Sequence, residues 1–258
     1  ENITDIYLCE NEDDERDFSR SLIYPGPSVP GPNLQDFLEN LLRNCKEQKK
    51  IDFNLSYSVD NNEKLIFRGH KINSLTGSVW ALRKLANNIP YIHDLGYKRN
   101  YSELLISDKL NNGGLVIMCG ETGQGKSTTA TSSIIYRLKE YGSFCLTIED
   151  PVEMPLQGQY PAKNGGQGIC YQTTAGEDEI DNAIKGALRS YPSVSNSILF
   201  LGEIRTSAMA NEVLRIAANG HLVFTTMHGI DLLSSVERFV QMASSHKTTQ
   251  KEEVLSML

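Results

Sequence analysis

No apolar run in the 258 residues approaches the roughly 18 residues that a membrane-spanning helix needs. No leader peptide is recognisable at the amino end, and Glu1 in place of Met reads as the start of a trimmed chain. Cysteine is sparse: five residues, at 9, 45, 119, 145 and 170, form no C-x-x-C pair. An odd number without a disulfide pattern favours a reducing compartment, and Cys119 and Cys145 read as small core hydrophobes. A basic surplus is also missing. The net charge of −7 argues against the wide positive face of a protein that tracks along nucleic acid, although it permits a local basic channel. No internal repeat is present. The remainder is ordinary for a globular chain, 40% hydrophobic and 22% charged, with enough length for one large domain or two modest ones.

Against this background one stretch stands out, Gly120-Glu-Thr-Gly-Gln-Gly-Lys-Ser127. It has the phosphate-loop spacing of glycine, four residues, then Gly-Lys-Ser. The apolar run Gly114–Cys119 before it reads as a buried parallel strand, and Ser127–Glu140, free of proline and glycine, reads as a helix. That order is what phosphate binding requires. Glycines let the loop turn sharply enough for several N–H groups to face one anion, and the helix start adds its own unpaired N–H groups. Lys126 would reach the β- and γ-phosphates, and the Ser127 hydroxyl would sit on Mg²⁺.

The amino-terminal part reads as a small α+β domain. It begins with a strand at Ile3–Cys9, an acidic loop at Glu10–Asp17 and a stiff Pro25–Pro32 loop holding four of the nine prolines. Apolar residues at i, i+3, i+4 spacing predict an amphipathic helix over Leu34–Cys45. Strands follow at Ile51–Val59 and Lys64–Ile72 around a turn at Asp60–Asn62, and then a helix over Thr76–Asn88. We expect this domain to span 1–92 and a linker 93–99, with the second domain at 100–258. There the pattern becomes alternating: strands at Leu115–Cys119, Phe144–Glu149, Ile198–Glu203 and Leu222–Thr226, and helices at Ser102–Leu110, Ser127–Glu140, Glu179–Tyr191, Ser207–Asn219 and Leu232–Met242. This predicts a parallel sheet covered by helices. Met154–Thr174, rich in glycine and glutamine, reads as a long surface loop.

Three more stretches fall at strand ends, where an open α/β sheet places its ligand crevice. In Thr147-Ile-Glu-Asp-Pro-Val-Glu153 an acidic pair follows an apolar strand. In Ile198-Leu-Phe-Leu-Gly-Glu-Ile-Arg205 the acid is Glu203, placed to hold Mg²⁺ through water or to polarise an attacking water. Gly220-His-Leu-Val-Phe-Thr-Thr-Met-His228 is a strand with a histidine at each end.

Together and in this order, the four boxes resemble those of the secretion ATPase superfamily of type II secretion and type IV pilus motors. Gly120–Ser127 matches its Walker A, Thr147–Glu153 its Asp box, Leu201–Arg205 its Walker B and Gly220–His228 its His box. The Gly202-Glu203 pair, in place of an aspartate, resembles the family's atypical Walker B. Ile3–Leu8 is similar to the family's first strand, and Phe67-Arg68 and Trp80–Arg83 to its paired arginine positions. Departures are confined to flanking positions: Gln124 for serine, Thr206 for aspartate, and Asn219 and Gly229 where threonines are common.

The resemblance implies a RecA-like P-loop ATPase domain behind a PAS-like amino-terminal domain, and a helical carboxy-terminal domain beyond Leu258. It implies ATP held by Gly120, Glu121, Thr122, Gly123, Gln124, Gly125, Lys126, Ser127, Thr128 and Arg189. Mg²⁺ would be held by Ser127 and, through water, Glu203. Glu203 is the implied catalytic carboxylate and Glu149 its helper. His221 and His228 would sense the γ-phosphate, with Arg68, Arg83 and Arg205 around the nucleotide. As isolated residues each of these arginines has a bland alternative as a surface ion pair worth under about 1 kcal/mol. The implied assembly is a homo-hexameric motor on an inner-membrane pilus or secretion platform protein, cytoplasmic and peripheral, without membrane insertion or nucleic acid. A nucleic-acid translocase of the RecA class, or an ATP-binding assembly module with little turnover, is the alternative.

Overall fold

The computed structural model of the chain describes residues 3–245, apart from positions 12, 15, 59–63, 87, 177 and 193–195, together with Val254. The chain divides into two compact units, Glu1–Asn88 and Ile89–Leu258. Residues 89–99, read from sequence as domain end and linker, belong to the second unit. Ile92 is buried there and the Ser132 hydroxyl donates to the Pro90 carbonyl at 2.8 Å.

In the first unit, strands β1 (Asp5–Cys9), β2 (Leu22–Tyr24), β3 (Asp52–Ser58), β4 (Lys64–Ser74) and β5 (Gly77–Lys84) form an antiparallel sheet ordered β2-β1-β5-β4-β3. Helix α1 (Gln35–Lys46) contributes Leu38, Leu41, Leu42 and Cys45 to a core shared with Ile6, Leu8, Phe53, Phe67, Trp80 and Leu82. The helix expected over 76–88 is strand β5. Its buried Trp80 and Leu82 alternate with the less buried Val79, Ala81 and Arg83, a period of two that Ala, Leu, Arg and Lys propensities disguise. Between β1 and β4, its backbone groups have ladder partners on both sides. The turn expected at Asp60–Asn62 lies outside the described residues.

The second unit is a six-stranded sheet ordered β6-β11-β10-β7-β9-β8. Its strands are β6 (Gly114–Gly120), β7 (Phe144–Glu149), β8 (Gly158–Pro161), β9 (Gln167–Thr174), β10 (Ser197–Leu201) and β11 (Leu222–His228). All pairs are parallel except β8 with β9. Helix α2 (Arg99–Ile106) precedes β6, and α3 (Lys126–Tyr141) follows the glycine loop. The later helices are α4 (Ile180–Ser190), α5 (Ser207–Ala218) and α6 (Leu232–Ser244). Each central strand is buried on both faces. In β10, Ile198 and Phe200 pack with Ile134 and Leu138 of α3, while Leu199 and Leu201 pack with Ile184, Val213 and Phe239 of α4, α5 and α6.

The expected surface loop over 154–174 holds β8 and β9 instead. β9 adds to the sheet beside β7, from Phe144↔Ile169 to Glu149↔Thr174, and buries Cys170 against Cys145 under α3. Its glycine content serves packing. A Cβ on Gly168 would lie 2.2 Å from the Leu138 carbonyl oxygen, so only glycine lets β9 approach the backbone of α3. Arg137, buried on α3, donates to the Ser107 carbonyl at 2.8 Å and to Asn111, fixing the segment that leads into β6. Burial lowers its pKa to about 10, against the opposing pull of Tyr141 and Asp108 nearby.

Gly168→Ala should therefore destabilise the protein by about 1–3 kcal/mol through overpacking, measured by denaturant unfolding. Gly186→Ala, on α4 with no atom within 4 Å of the added Cβ, should be neutral or stabilising. Equal behaviour of the two variants would refute the close-packing role of Gly168.

Candidate active site

The parallel register brings the chemistry to one edge. β6 ends at Gly120, β7 at Glu149 and β10 at Leu201, so the loops after all three open on the same side of the sheet. Between them lies a cavity of about 320 Å³ lined by Thr122, Gly123, Gly125, Lys126, Ser127 and Thr128 on one wall. Glu149, Asp150, Glu153, Glu203 and Arg205 line the other.

The loop wall is shaped by backbone conformation. Gly123 and Gly125 have φ of 82° and 78° with nothing within 4 Å of an added Cβ, so left-handed geometry, not space, demands glycine. Gly125 is the residue before the first turn of α3, whose free N–H groups face the cavity end. The Lys126 ammonium lies back along the loop, donating to the carbonyls of Gly120 at 2.9 Å and Glu121 at 2.8 Å. The Ser127 hydroxyl donates to Glu153 Oε2 at 2.5 Å, joining the two walls.

On the acidic wall, Glu203 follows Gly202 and accepts from Arg205 Nε at 2.9 Å; the same guanidinium lies 3.7 Å from Asp150. Glu149 is 4% exposed and accepts from Gln172 Nε2 at 3.0 Å. Burial pushes its carboxyl up to about 6, against hydrogen bonds, that of Gln172 included, that favour the charged form.

Of the residues singled out from sequence, Thr122, Gly123, Gly125, Lys126, Ser127, Thr128, Glu149, Glu203 and Arg205 meet at this cavity. Gly120, Glu121 and Gln124 belong to the loop but do not line it. His228 pairs with Gly120 across β11 and β6, so it stands beside the start of the loop, exposed, and its carbonyl accepts from Arg238. His221 does not join it. Strand β11 separates the two histidines by about 23 Å at roughly 3.3 Å per residue, and the His221 carbonyl accepts from Gly114 N at the far edge of the sheet. Its ring instead stacks on Tyr191 and its Nδ1 lies 2.5 Å from Ser197 Oγ. The γ-phosphate role expected of it is therefore corrected for its own chain. Arg189 is corrected likewise: it is exposed in the last turn of α4, while the cavity meets that helix at Ile180, about 13 Å of helix away. Arg68 and Arg83 lie on the first unit, paired across β4 and β5, with Arg83 bound to Asp5 at 2.8 Å.

Glu153, Gln172 and Thr226 were not singled out from sequence, and Asp150 only as half of the acidic pair after the strand. Glu153 sits four residues after Glu149 in the same acidic box, a spacing that could have marked it; Gln172 fell in the stretch read as loop.

A strand, a glycine loop and a helix, facing acids at neighbouring strand ends, define a phosphate-loop α/β protein. The sequence model for type II/IV secretion system proteins matches residues 46–257, and the chain belongs to that family. It is 30% identical over 263 residues to the uncharacterised protein YggR of Escherichia coli K12, covering 100% of this chain and 74% of that protein. It is 29% identical over 190 residues to the type IV pilus retraction ATPase PilT of Pseudomonas aeruginosa, covering 74% of this chain and 52% of that protein. The solved structure of the pilus retraction motor PilT with bound ADP superposes with a TM-score of 0.69 at 27% identity, covering 100% of this chain and 71% of that one. The Legionella pneumophila ATPase DotB shares the fold, with a TM-score of 0.70 at 18% identity. The chain thus spans about half of the length of curated PilT. Among the described residues, no helix is long and apolar enough to cross a membrane.

The raised pKa of Glu149 has a definite sign. A carboxyl whose folded pKa lies above its unfolded value adds stability at low pH that is lost as pH rises through about 6. At pH 7.5, keeping Glu149 charged costs about 2 kcal/mol. Glu149→Gln should accordingly be more stable than wild type at pH 7.5, with the difference closing towards pH 4.5. Urea midpoints that differ equally at both pH values would refute this.

Proposed function

We propose that the chain is the ATP-hydrolysing part of a motor that serves a type IV pilus or a type II/IV-like secretion or conjugation system. The observation that carries this reading is the single cavity in which Lys126 and Ser127 face Glu203 and Glu149. Its volume and polar lining suit a triphosphate. Phosphate oxygens would take the N–H groups of Thr122–Thr128, and the Lys126 ammonium would exchange the Gly120 and Glu121 carbonyls for the β- and γ-phosphates. The hard oxygen donors of the cavity fit Mg²⁺. Among the described residues no three His, Cys, Asp or Glu side chains form a ready-made cage, as suits an ion held by one or two protein oxygens and substrate phosphates. Ser127 and, through water, Glu203 would hold it. When bound, Mg²⁺ would neutralise charge on the transferring phosphoryl group.

In the reaction Glu203 orients and polarises the attacking water, and Glu149, already buried, takes part as a second base or water ligand. Arg205, between Glu203 and Asp150, would add positive charge near the transferring group. His228, beside Gly120, would contact the γ-phosphate region. We read the second unit as RecA-like and the first as PAS-like. Arg68 and Arg83 supply further cations from that first unit, to their own or a neighbouring nucleotide, within a homo-hexamer. Such a ring would act in the cytoplasm, docked on an inner-membrane platform protein. The likeness to PilT over most of this chain supports the assignment.

Lys126→Ala should weaken ATP binding at least about tenfold, because a charge-assisted contact of about 2–3 kcal/mol is lost. Glu203→Gln should keep ATP affinity and lose turnover by about 100-fold or more, since the amide keeps the shape and drops the charge. Isothermal titration with ATP and a phosphate-release assay check both. Undiminished turnover in Glu203→Gln would move the catalytic role to Glu149.

A further inference from the structure

Gln172 is outside the four boxes, yet its side-chain amide bonds both to Glu149 of the acidic wall and to the backbone of 154–157. It stands on β9, one strand from the buried end of β7, and its amide has a defined partner in each direction. Nε2 donates to Glu149 Oε1 at 3.0 Å and to the Met154 carbonyl at 2.9 Å. Oε1 accepts from the backbone N–H groups of Leu156 at 2.6 Å and Gln157 at 2.8 Å. The Gln172 backbone N–H donates in turn to Gln157 Oε1 at 2.7 Å. Both amide hydrogens and both carbonyl lone pairs are used, the full capacity of the group.

The partners fall into two sets. One is the Glu149 carboxylate. The other is the backbone of 154–157, which ends the loop bearing Asp150 and Glu153; Glu153 accepts from Ser127 across the cavity. One amide therefore ties the direction of Glu149 to the placement of the loop that meets the phosphate-loop helix. No apolar or charged side chain of similar size can donate to a carboxylate and accept from two amides at once. Displacements of about 1 Å at a reacting centre are enough to cost rate by about 100-fold.

We propose that Gln172 is the positioning residue of the hydrolytic site: it fixes Glu149 and the Glu153 loop together against Ser127, and so acts on turnover without touching the nucleotide. This deepens the proposed ATPase function and rests on it.

Two variants separate the two halves of the bond network. Gln172→Leu removes both. Gln172→Glu keeps the oxygen that accepts from Leu156 and Gln157 but sets a second carboxylate against Glu149. ATP affinity, steady-state kcat and KM, and amide exchange at Leu156 and Gln157 would be measured on the purified protein. In both variants kcat should fall about 10- to 100-fold while KM and ATP affinity stay within about threefold of wild type. Amide exchange at Leu156 and Gln157 should accelerate in Gln172→Leu alone. A kcat within about threefold of wild type in Gln172→Glu, or a fall in kcat matched by an equal loss of ATP affinity in both variants, overturns the positioning role. A wild-type protein that does not turn over ATP overturns the proposed function, and this inference with it.

Discussion

Strands paired in parallel leave their carboxyl ends together at one edge of the sheet. In this chain β6, β11, β10, β7 and β9 obey that constraint, and the rest of the site depends on it. The loops after β6, β7 and β10 have no sequence proximity to one another, yet register alone sets the phosphate loop, the Glu149 box and the Glu203 turn around one cavity. The same constraint excludes His221. A residue at the amino end of a parallel strand stands on the other edge, whatever motif it belongs to.

The cavity balances opposed charges in a partly buried space. On the acidic wall Arg205 is shared between Glu203 and Asp150, and on the opposite wall Lys126 is held by carbonyls of its own loop. Glu149 has no cation among its hydrogen-bond partners. Its deep burial raises its pKa, and the amide of Gln172 opposes that rise in part. Stability is given up at that position, as is common where a site's chemistry and its burial conflict.

The membership in the type II/IV secretion family and the geometry of the cavity support each other through different evidence. The family match spans residues 46–257, most of it outside the cavity lining. The cavity rests on register and side-chain contacts.

Patterns governed by local chemistry were legible in the sequence. The glycine loop, its strand and its helix follow from backbone sterics within thirty or so residues, and the helices from 3.6-residue periodicity; β7 was placed at Phe144–Glu149, as observed. Two elements were not legible, for related reasons. Strand β5 carries good helix formers, and its strand state is decided by ladder partners on β1 and β4, distant in sequence. Strand β9 buries Gly168 and Cys170, and because the glycine must clear the Leu138 carbonyl, one inward position of its alternation carries no apolar side chain. The sequence by itself determined that a glycine loop joins an apolar strand to a helix and that acids follow apolar strands. Only the tertiary structure decided which acids face that loop, which histidine stands beside it, and that Gln172 holds Glu149. Those are facts of strand order and register, and a one-residue shift in pairing turns a side chain from one face of a sheet to the other.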